Sequence, residues 1–294
     1  MMISIVIPVG KEGENLYERV LEFDDLVKDS FRKLGFSHEI LLISDIFHVP
    51  TLKAMMRLAK QNIARCLFLT RRIGKGGSIK NAIPYIHGDY IVLLDADIPI
   101  SIDILSKAVL LVTYQKIDLL ITNRVYRTHS LLRRTLSTAY NTLVNILFGT
   151  GLRDHQAGFK VLSRKAAKII LAGRTRTDGL AYDTEVIVWA RKYRFKYIAL
   201  DVIWREKREV STIPQLRAIL TMSIDLAMLK LLTLAGKYIA LQKTTIGKII
   251  DLSSLHEVGQ AFTTTIKASG LKKHFLNPLR KLYIITALRK RETP

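Results

Sequence analysis

Short runs of β-branched and aliphatic residues recur along the first two-thirds of the chain, each followed by a stretch with apolar residues at every third or fourth position. "ISIVIPV" predicts a strand. Leu16, Val20, Phe23, Val27, Phe31 and Leu34 then fall at helical spacing and predict a helix that ends before Gly35. Strand "EILLIS", helix "PTLKAMMRLAKQN", strand "ARCLFLT", a short helix after Gly77, strand "YIVLL", helix "SIDILSKAVLLVTY" and strand "DLLIT" continue the alternation. Beyond residue 124 the pattern loosens into helix "SLLRRTLSTAYNTLVNILFG", loop "GTGLRDHQAG", strand "FKVLS", helix "DTEVIVWARKY" and strand "KYIALDVIWRE". This order predicts an α/β fold, a mostly parallel sheet with helices on both faces. Near Pro214 the character changes to helical, apolar and basic, so we divide the chain into a domain at 1–214 and a region at 215–294.

The charge changes the picture. With 46 Lys and Arg against 25 Asp and Glu, the 294-residue chain carries +21. Such an excess attracts an anion: a nucleotide, nucleic acid or an anionic membrane surface. A solvated basic surface without a single partner is the plain alternative. No nucleic-acid motif or aromatic-interleaved basic strand accompanies the charge, so nucleic acid is not expected as a partner, although charge alone permits a non-catalytic nucleic-acid-binding protein. Cys66 is the single cysteine, which excludes an internal disulfide and a thiolate metal cluster and fits a small buried hydrophobe. The N-terminal apolar run is too short before charges begin for a secretory signal. "LTMSIDLAMLKLLTLAGKYIAL" approaches the length of a membrane span, but Asp225, Lys230 and Lys237 interrupt it. It is expected to lie in a membrane interface, with packing against the rest of the protein as the competitor. In the basic tail, Leu271, Phe275, Leu279, Leu282 and Ile285 share the sequence with many cations, a composition that favours anionic headgroups.

The candidate chemistry sits where "GDYIVLLDADIPI" runs from apolar residues straight into Asp95 and Asp97. In parallel sheets ligands bind beyond the carboxyl ends of the strands, where these acids are expected. In an extended segment residues two apart face the same side, so both carboxylates can point together. Two hard oxygen ligands suit Mg²⁺ or Mn²⁺ completed by phosphate and water; alternatively an aspartate here caps the helix that follows. Upstream, "RRIGKGGSIKNAI" offers Gly74, Gly76 and Gly77 for close backbone approach and Lys75 as a phosphate charge, without P-loop spacing. An ordinary glycine turn entering a helix is the alternative.

The series "VIPVGKEGENL", "EILLISD", "GKGGSIKNAI", "DAD", "DHQAGFKVLSR", "YDTEV", "VIWRE" resembles family-2 glycosyltransferases over roughly residues 2 to 214, most closely the dolichyl-phosphate mannose and glucose synthases. The resemblance implies a GT-A (Rossmann-like) fold with a C-terminal, membrane-associated helical region. It implies Pro8, Glu12, Asp45, Lys75, Asp95 and Ala96 around the donor nucleotide, and Asp95 and Asp97 on the metal. Gln156 and the backbone at Gly158 would border the sugar. Arg124, Arg134, Ser137 and Arg205 would meet the lipid phosphate, with Arg133 and Arg208 nearby. Asp97, Gln156 and Asp183 are the implied catalytic residues. Asp183 has an equal alternative as the cap of its helix, with Glu185 in the first turn.

The activity implied is inverting transfer of a hexose to a polyprenyl or dolichyl phosphate at the cytoplasmic face of a membrane. Mannose from GDP-mannose is the first expectation and glucose from UDP-glucose the second. A lipid phosphate is ionised at neutral pH and needs no base, whereas a sugar hydroxyl does. Asp183→Asn is therefore expected to spare phosphate transfer and to remove hydroxyl transfer. The chain departs from the family's pattern at Gly10 and Lys11, and at Ser44-Asp45-Ile46-Phe47, where one acid of a usual pair remains. Both departures bear on which base is bound.

Overall fold

The computed structural model describes residues 1–126, 131–172, 175, 181–203, 224–231, 233 and 249–251. Eight strands form one mixed sheet in the order β7-β5-β6-β4-β1-β2-β3-β8. They are β1 (Met2–Val9), β2 (Ser37–Ser44), β3 (Arg65–Leu69), β4 (Tyr90–Leu93), β5 (Leu119–Tyr126), β6 (Lys160–Ser163), β7 (Tyr197–Ile203) and β8 (Ile249–Asp251). The helices are α1 (Asn15–Lys33), α2 (Val49–Lys60), α3 (Lys75–Ala82), α4 (Ile102–Tyr114), α5 (Leu131–Phe148), α6 (Arg164–Ala166) and α7 (Tyr182–Lys192). A π-helical turn, Ala167–Ala172, continues α6.

The alternating pattern did its work on both faces of the sheet. Ile3, Ile5 and Ile7 of β1 pack with Leu16, Val20, Val27, Leu52 and Leu105 from α1, α2 and α4. Val6 of β1, with Leu41 and Ile43 of β2, packs on the other face with Ile79 of α3 and Val186, Ile187 and Trp189 of α7. Cys66 is free and buried.

The direction of each strand fixes where the chemistry gathers. β1 runs parallel to β2 on one side and to β4 on the other, so the chain order reverses between β1 and β4, and a crevice opens there at the carboxyl ends. β6 runs antiparallel to both β4 and β5, pairing Lys160 with Leu93 and Ile121. The loop that precedes β6 therefore opens on the same rim as the loop that follows β4. The "DHQAG" segment and the "DAD" segment, far apart in sequence, meet for that reason.

Several expectations are corrected. The acids are not on an extended segment: β4 ends at Leu93, and the Ile98 N–H donates to the Asp95 carbonyl at 3.0 Å, closing a turn over Asp95–Ile98. Ser101, whose hydroxyl accepts from the Ile104 N–H, caps α4, so neither aspartate does. α3 begins at Lys75, ahead of Gly77, after Gly74 turns the backbone with φ of 89°. The segment Arg164–Ala172 is helical, an element the pattern did not announce. The C-terminal region is not helical throughout: β8 adds an antiparallel edge to β3.

Within the segment expected at a membrane interface, residues 224–231 are helical. Leu226 and Leu229 are buried, and the Lys230 ammonium donates to the Leu147 carbonyl at the end of α5, so one face packs on the protein. Ile224, Met228 and Leu231 on the other face are 68%, 56% and 62% exposed. Among the described residues no helix is long and apolar enough to cross a membrane.

Gly88, between the 3-10 turn after α3 and β4, lies against β1: its N–H donates to the Ser4 hydroxyl at 2.7 Å, and an added Cβ would fall 2.3 Å from the Ser4 backbone nitrogen. That neighbour is main chain and cannot step aside. Gly88→Ala is expected to destabilise the protein by about 1–3 kcal/mol, seen as a lower urea midpoint at unchanged slope.

Candidate active site

A cleft of about 370 Å³ opens at the reversal point, lined by Pro8 at the end of β1, Glu12 after it, Asp45 after β2, Arg72 ahead of α3, Lys75 at its start, and Asp95, Ala96 and Asp97 after β4. All of the residues expected at the donor nucleotide thus line one cavity. Ile46, at one of the departures from the family's pattern, lines it too.

The glycine loop is held from behind. Asp45 Oδ2 accepts the Ile73 N–H at 2.8 Å and the Gly74 N–H at 2.5 Å. Those two donors are taken by Asp45, and Gly74 itself lines the cleft. Gly77 is needed for packing, since a Cβ there would strike Ile73.

The compensation of the acids comes from lysine. Lys75 Nζ lies 2.9 Å from Asp95 Oδ1 and 3.1 Å from Asp183 Oδ2, and Lys160 Nζ lies 2.5 Å from Asp183 Oδ1. Lys160, fully buried, also donates to the Ala157 carbonyl. Burial pushes the Asp183 carboxyl up, but Lys160 and Lys75 together outweigh burial and hold it below the usual carboxylate range. Burial lowers the Lys160 ammonium below its ordinary range, against the pull of Asp183. Burial acts on Lys75 in the same sense, but there Asp183 and Asp95 prevail and raise it. Lys75 is therefore bound to two carboxylates and is not an unengaged phosphate charge. Asp183 is not a cap either, because the position before α7 is Ala181 and no side chain caps that end. Glu185 is buried and accepts the Trp189 indole N–H at 3.1 Å.

Two groups fix the acid turn. Arg19 donates to Glu12 at 3.3 Å and to the Ala96 carbonyl at 2.9 Å, clipping α1 to the turn. Gly158 lies directly against Asp95: an added Cβ would come within 2.0 Å of Oδ2. Ile98, next in the turn, has φ of 48°, a left-handed conformation that costs a β-branched residue of order 1–3 kcal/mol.

The acceptor-side expectations divide. Arg124 forms a fork on buried Asp154, Nε to Oδ2 at 2.6 Å and an Nη to Oδ1 at 3.0 Å. Its guanidinium is thus engaged by the "DHQAG" loop, which weakens its assignment to a lipid phosphate. Asp154 Oδ1 also accepts the Gln156 N–H at 3.1 Å, which sets the loop. Ser137 lies half-buried on α5, its carbonyl accepting from Asn141. Neither Gln156, Arg124, Ser137 nor Asp183 lines the cleft. The side chains of Arg133 and Arg134, together with Arg205, Arg208 and the tail residues 271–285, lie outside the described residues.

Among the described residues no group of three or more His, Cys, Asp or Glu side chains converges as a metal site. Asp95 and Asp97 supply hard oxygens at one wall of a cleft large enough for a diphosphate. A two-carboxylate set completed by phosphate and water is the pattern Mg²⁺ and Mn²⁺ accept, so the residues fit. Lys160, Arg19, Asp154 and His155 were missed as site-forming residues. Asp154, His155 and Lys160 lie in the "DHQAGFK" block that carries the resemblance, where they were given no role; nothing in the sequence pointed to Arg19.

Comparison with known proteins bears on this geometry. The model of a family described as Glycosyl transferase family 2 matches residues 4–171. A dolichyl-phosphate beta-glucosyltransferase of Trichomonas vaginalis is 28% identical over 219 residues, covering 69% of this chain and 66% of that protein. One from Dictyostelium discoideum is 27% identical over 227 residues, with the same coverage of 69% and 66%. The chain thus spans just under two thirds of the length of these relatives. A crystal structure of glucosyl-3-phosphoglycerate synthase from Mycobacterium tuberculosis, with Mn²⁺, uridine diphosphate and phosphoglyceric acid, superposes with a TM-score of 0.60 at 16% identity, covering 81% of this chain and 80% of that one. That likeness shows a shared fold.

Two outcomes are expected. Gly158→Ala pushes on the flexible end of Asp95, not on main chain. Mn²⁺ affinity should fall about tenfold or more, a loss of about 1.4 kcal/mol, while the thermal midpoint stays near that of the unaltered protein; calorimetry measures both. His155 is fully buried, its Nδ1 donating to Asn141 Oδ1 and its Nε2 meeting the Thr150 hydroxyl. Burial lowers its pKa from 6.5 to about 4. Because the folded value lies below the unfolded one, the unfolded chain binds the extra proton first. Stability is full above about pH 6.5 and falls as the pH drops toward 4, by up to roughly 3 kcal/mol. His155→Gln should flatten that slope in urea titrations at pH 5 and pH 7.

Proposed function

The chain belongs to glycosyl transferase family 2, and within that family we propose that it moves glucose from UDP-glucose to a polyprenyl phosphate of the dolichyl type, inverting the anomeric carbon. The observation that carries this reading is the cleft at the β1/β4 reversal, lined together by Asp95 and Asp97 and by Pro8, Glu12, Asp45 and Ile46. The names of the two relatives favour glucose, and uridine diphosphate in the solved neighbour favours UDP. Mannose from GDP-mannose, the first expectation, has no such support and gives way to the second. The word "beta" in those names agrees with inversion of an α-linked nucleotide sugar.

The roles follow from the geometry. Arg19 fixes the Ala96 carbonyl and Glu12, so the acid turn meets the donor in one conformation. A divalent cation held by Asp95 and Asp97 would supply Lewis-acid stabilisation of the departing diphosphate. Asp183 bears on the acceptor. A carboxylate gripped by two ammonium groups and held below its usual range is a poor proton acceptor. An acceptor that brings its own negative oxygen, a phosphate monoester, needs none. This favours a lipid phosphate over a sugar hydroxyl. The net charge of +21 and the exposed Ile224, Met228 and Leu231 support a peripheral position on the cytoplasmic membrane face, where such a lipid resides.

The expectation that Asp183→Asn is harmless to phosphate transfer does not survive the structure. Removing that charge leaves Lys160 buried without its carboxylate, and breaking a buried pair costs about 3–5 kcal/mol. Loss of activity in that variant would report the fold, so it does not separate the two acceptors.

A donor panel of UDP-glucose, UDP-galactose, GDP-mannose and GDP-glucose with Mn²⁺ or Mg²⁺ and a polyprenyl phosphate tests the proposal directly. Labelled lipid is expected from UDP-glucose alone; labelling from GDP-mannose alone would overturn the donor assignment. Asp97→Asn is expected to lower turnover by roughly a thousandfold, in the range of a lost transition-state charge contact, with an unchanged thermal midpoint.

A further inference from the structure

We infer that Lys75 is a displaceable counter-ion of the acid pair, competing with the divalent cation for one oxygen of Asp95. The inference rests on the metal reading proposed above and concerns how that site is filled. Asp95 has two carboxylate oxygens, and the structure disposes of them differently. Oδ2 faces Gly158, close enough that a single added carbon would come within 2.0 Å of it. Oδ1 is held by Lys75 at 2.9 Å. Both oxygens lie against Gly158, Oδ2 the nearer, so a cation that approaches Asp95 from the cleft meets a carboxylate whose Oδ1 already carries an ammonium.

Lys75 need not leave the site when this happens. Its second partner, Asp183 Oδ2 at 3.1 Å, keeps it at the base of the cleft. Asp183 is itself secured from the far side by Lys160. Before any ligand arrives three aspartates, Asp95, Asp97 and Asp183, stand against two lysines, one negative charge in excess, and a divalent cation turns that into an excess of one positive charge. A divalent cation added to Asp95 and Asp97 leaves the Lys75 ammonium without one of its anions. A diphosphate entering the same cleft restores the balance. Metal and nucleotide therefore bind cooperatively: metal alone is held weakly because Lys75 opposes it, and the diphosphate turns that opposing charge into a contact. By linkage the nucleotide gains as much from the metal as the metal from the nucleotide.

The sign of one measurement decides. Mn²⁺ binding without nucleotide is followed by electron paramagnetic resonance of the free ion, for the unaltered protein, Lys75→Met and Lys75→Arg. Competition predicts that Lys75→Met binds Mn²⁺ about tenfold more tightly, while Lys75→Arg, which keeps the charge, stays within about twofold. With UDP present the advantage of Lys75→Met should shrink or reverse. Equal or weaker Mn²⁺ binding by Lys75→Met overturns the inference, because it would mean that Lys75 positions Asp95 for the metal. Lys160 remains to neutralise Asp183 in these variants. A readout that needs no variant is the ¹⁵N-ammonium resonance of Lys75 in the unaltered protein: it should shift during a Mg²⁺ titration, and an unmoved signal at saturating Mg²⁺ counts against the idea. If the unaltered protein binds Mn²⁺ with UDP but Lys75→Met shows no gain, this inference alone fails. If no form of the protein binds Mn²⁺ even with UDP, the metal reading falls and takes this inference with it.

Discussion

Asp183 and Asp95 alternate with Lys160 and Lys75 through the middle of the molecule, and the arrangement of the site follows from that alternation. A buried carboxylate or ammonium on its own costs several kcal/mol, so Lys160 and Asp183 can be where they are only because of each other, and Lys75 and Asp95, partly exposed in the cleft, extend the chain. Lys160 starts β6, Lys75 starts α3, Asp183 opens α7 and Asp95 follows β4. The chain of charges thus ties together four elements that the backbone brings to one rim by separate routes. It also keeps a lysine and an aspartate charged beneath a cleft where catalysis calls for fixed charge.

The strands and helices were largely legible, because on both faces of a buried parallel sheet the apolar period is unambiguous: β1, α1, β2, α2 and β3 fall within a residue or two of where the pattern puts them. The residues expected around a nucleotide share one cleft, since carboxyl-terminal strand ends gather at one mouth: Pro8 lies at the end of β1, and Asp45 and Asp95 follow β2 and β4. What could not be read was who faces whom across the rim. Nothing in "DAD" shows that its first carboxylate rests on a glycine more than sixty positions later, and nothing in "GKGG" shows that its lysine faces inward to two acids. Such facts depend on β6 running antiparallel, and its short pattern carries no sign of direction. The helix at Arg164–Ala172 escaped for another reason: "RKAAKIILA" directly follows a strand with no intervening turn residue, and it ends in a π-helical turn that breaks the usual period.

The partners of individual side chains were less legible than the elements that carry them. Asp45, expected beside the base, lines the cleft and also anchors the Ile73 and Gly74 amides. Arg124, expected on a lipid phosphate, is forked onto Asp154. In each case the hydrogen bonds of the side chain go to the protein. Residues of this kind set the shape of a site, and altering them changes geometry before it changes chemistry.

Ile98 gives the acid turn an unusual kind of stiffness. Its backbone sits where glycine or asparagine would rest more comfortably, yet its side chain packs against the hydrophobic cluster beneath α1 and α4. The turn is therefore pinned like a bent spring with one foot set in the floor: relaxing the bend would mean pulling the foot out. A glycine at this position would gain backbone ease and lose the anchor, and the two aspartates would then swing on a looser hinge. A turn that presents two carboxylates at fixed spacing has reason to keep a residue that fits its own dihedral angles poorly.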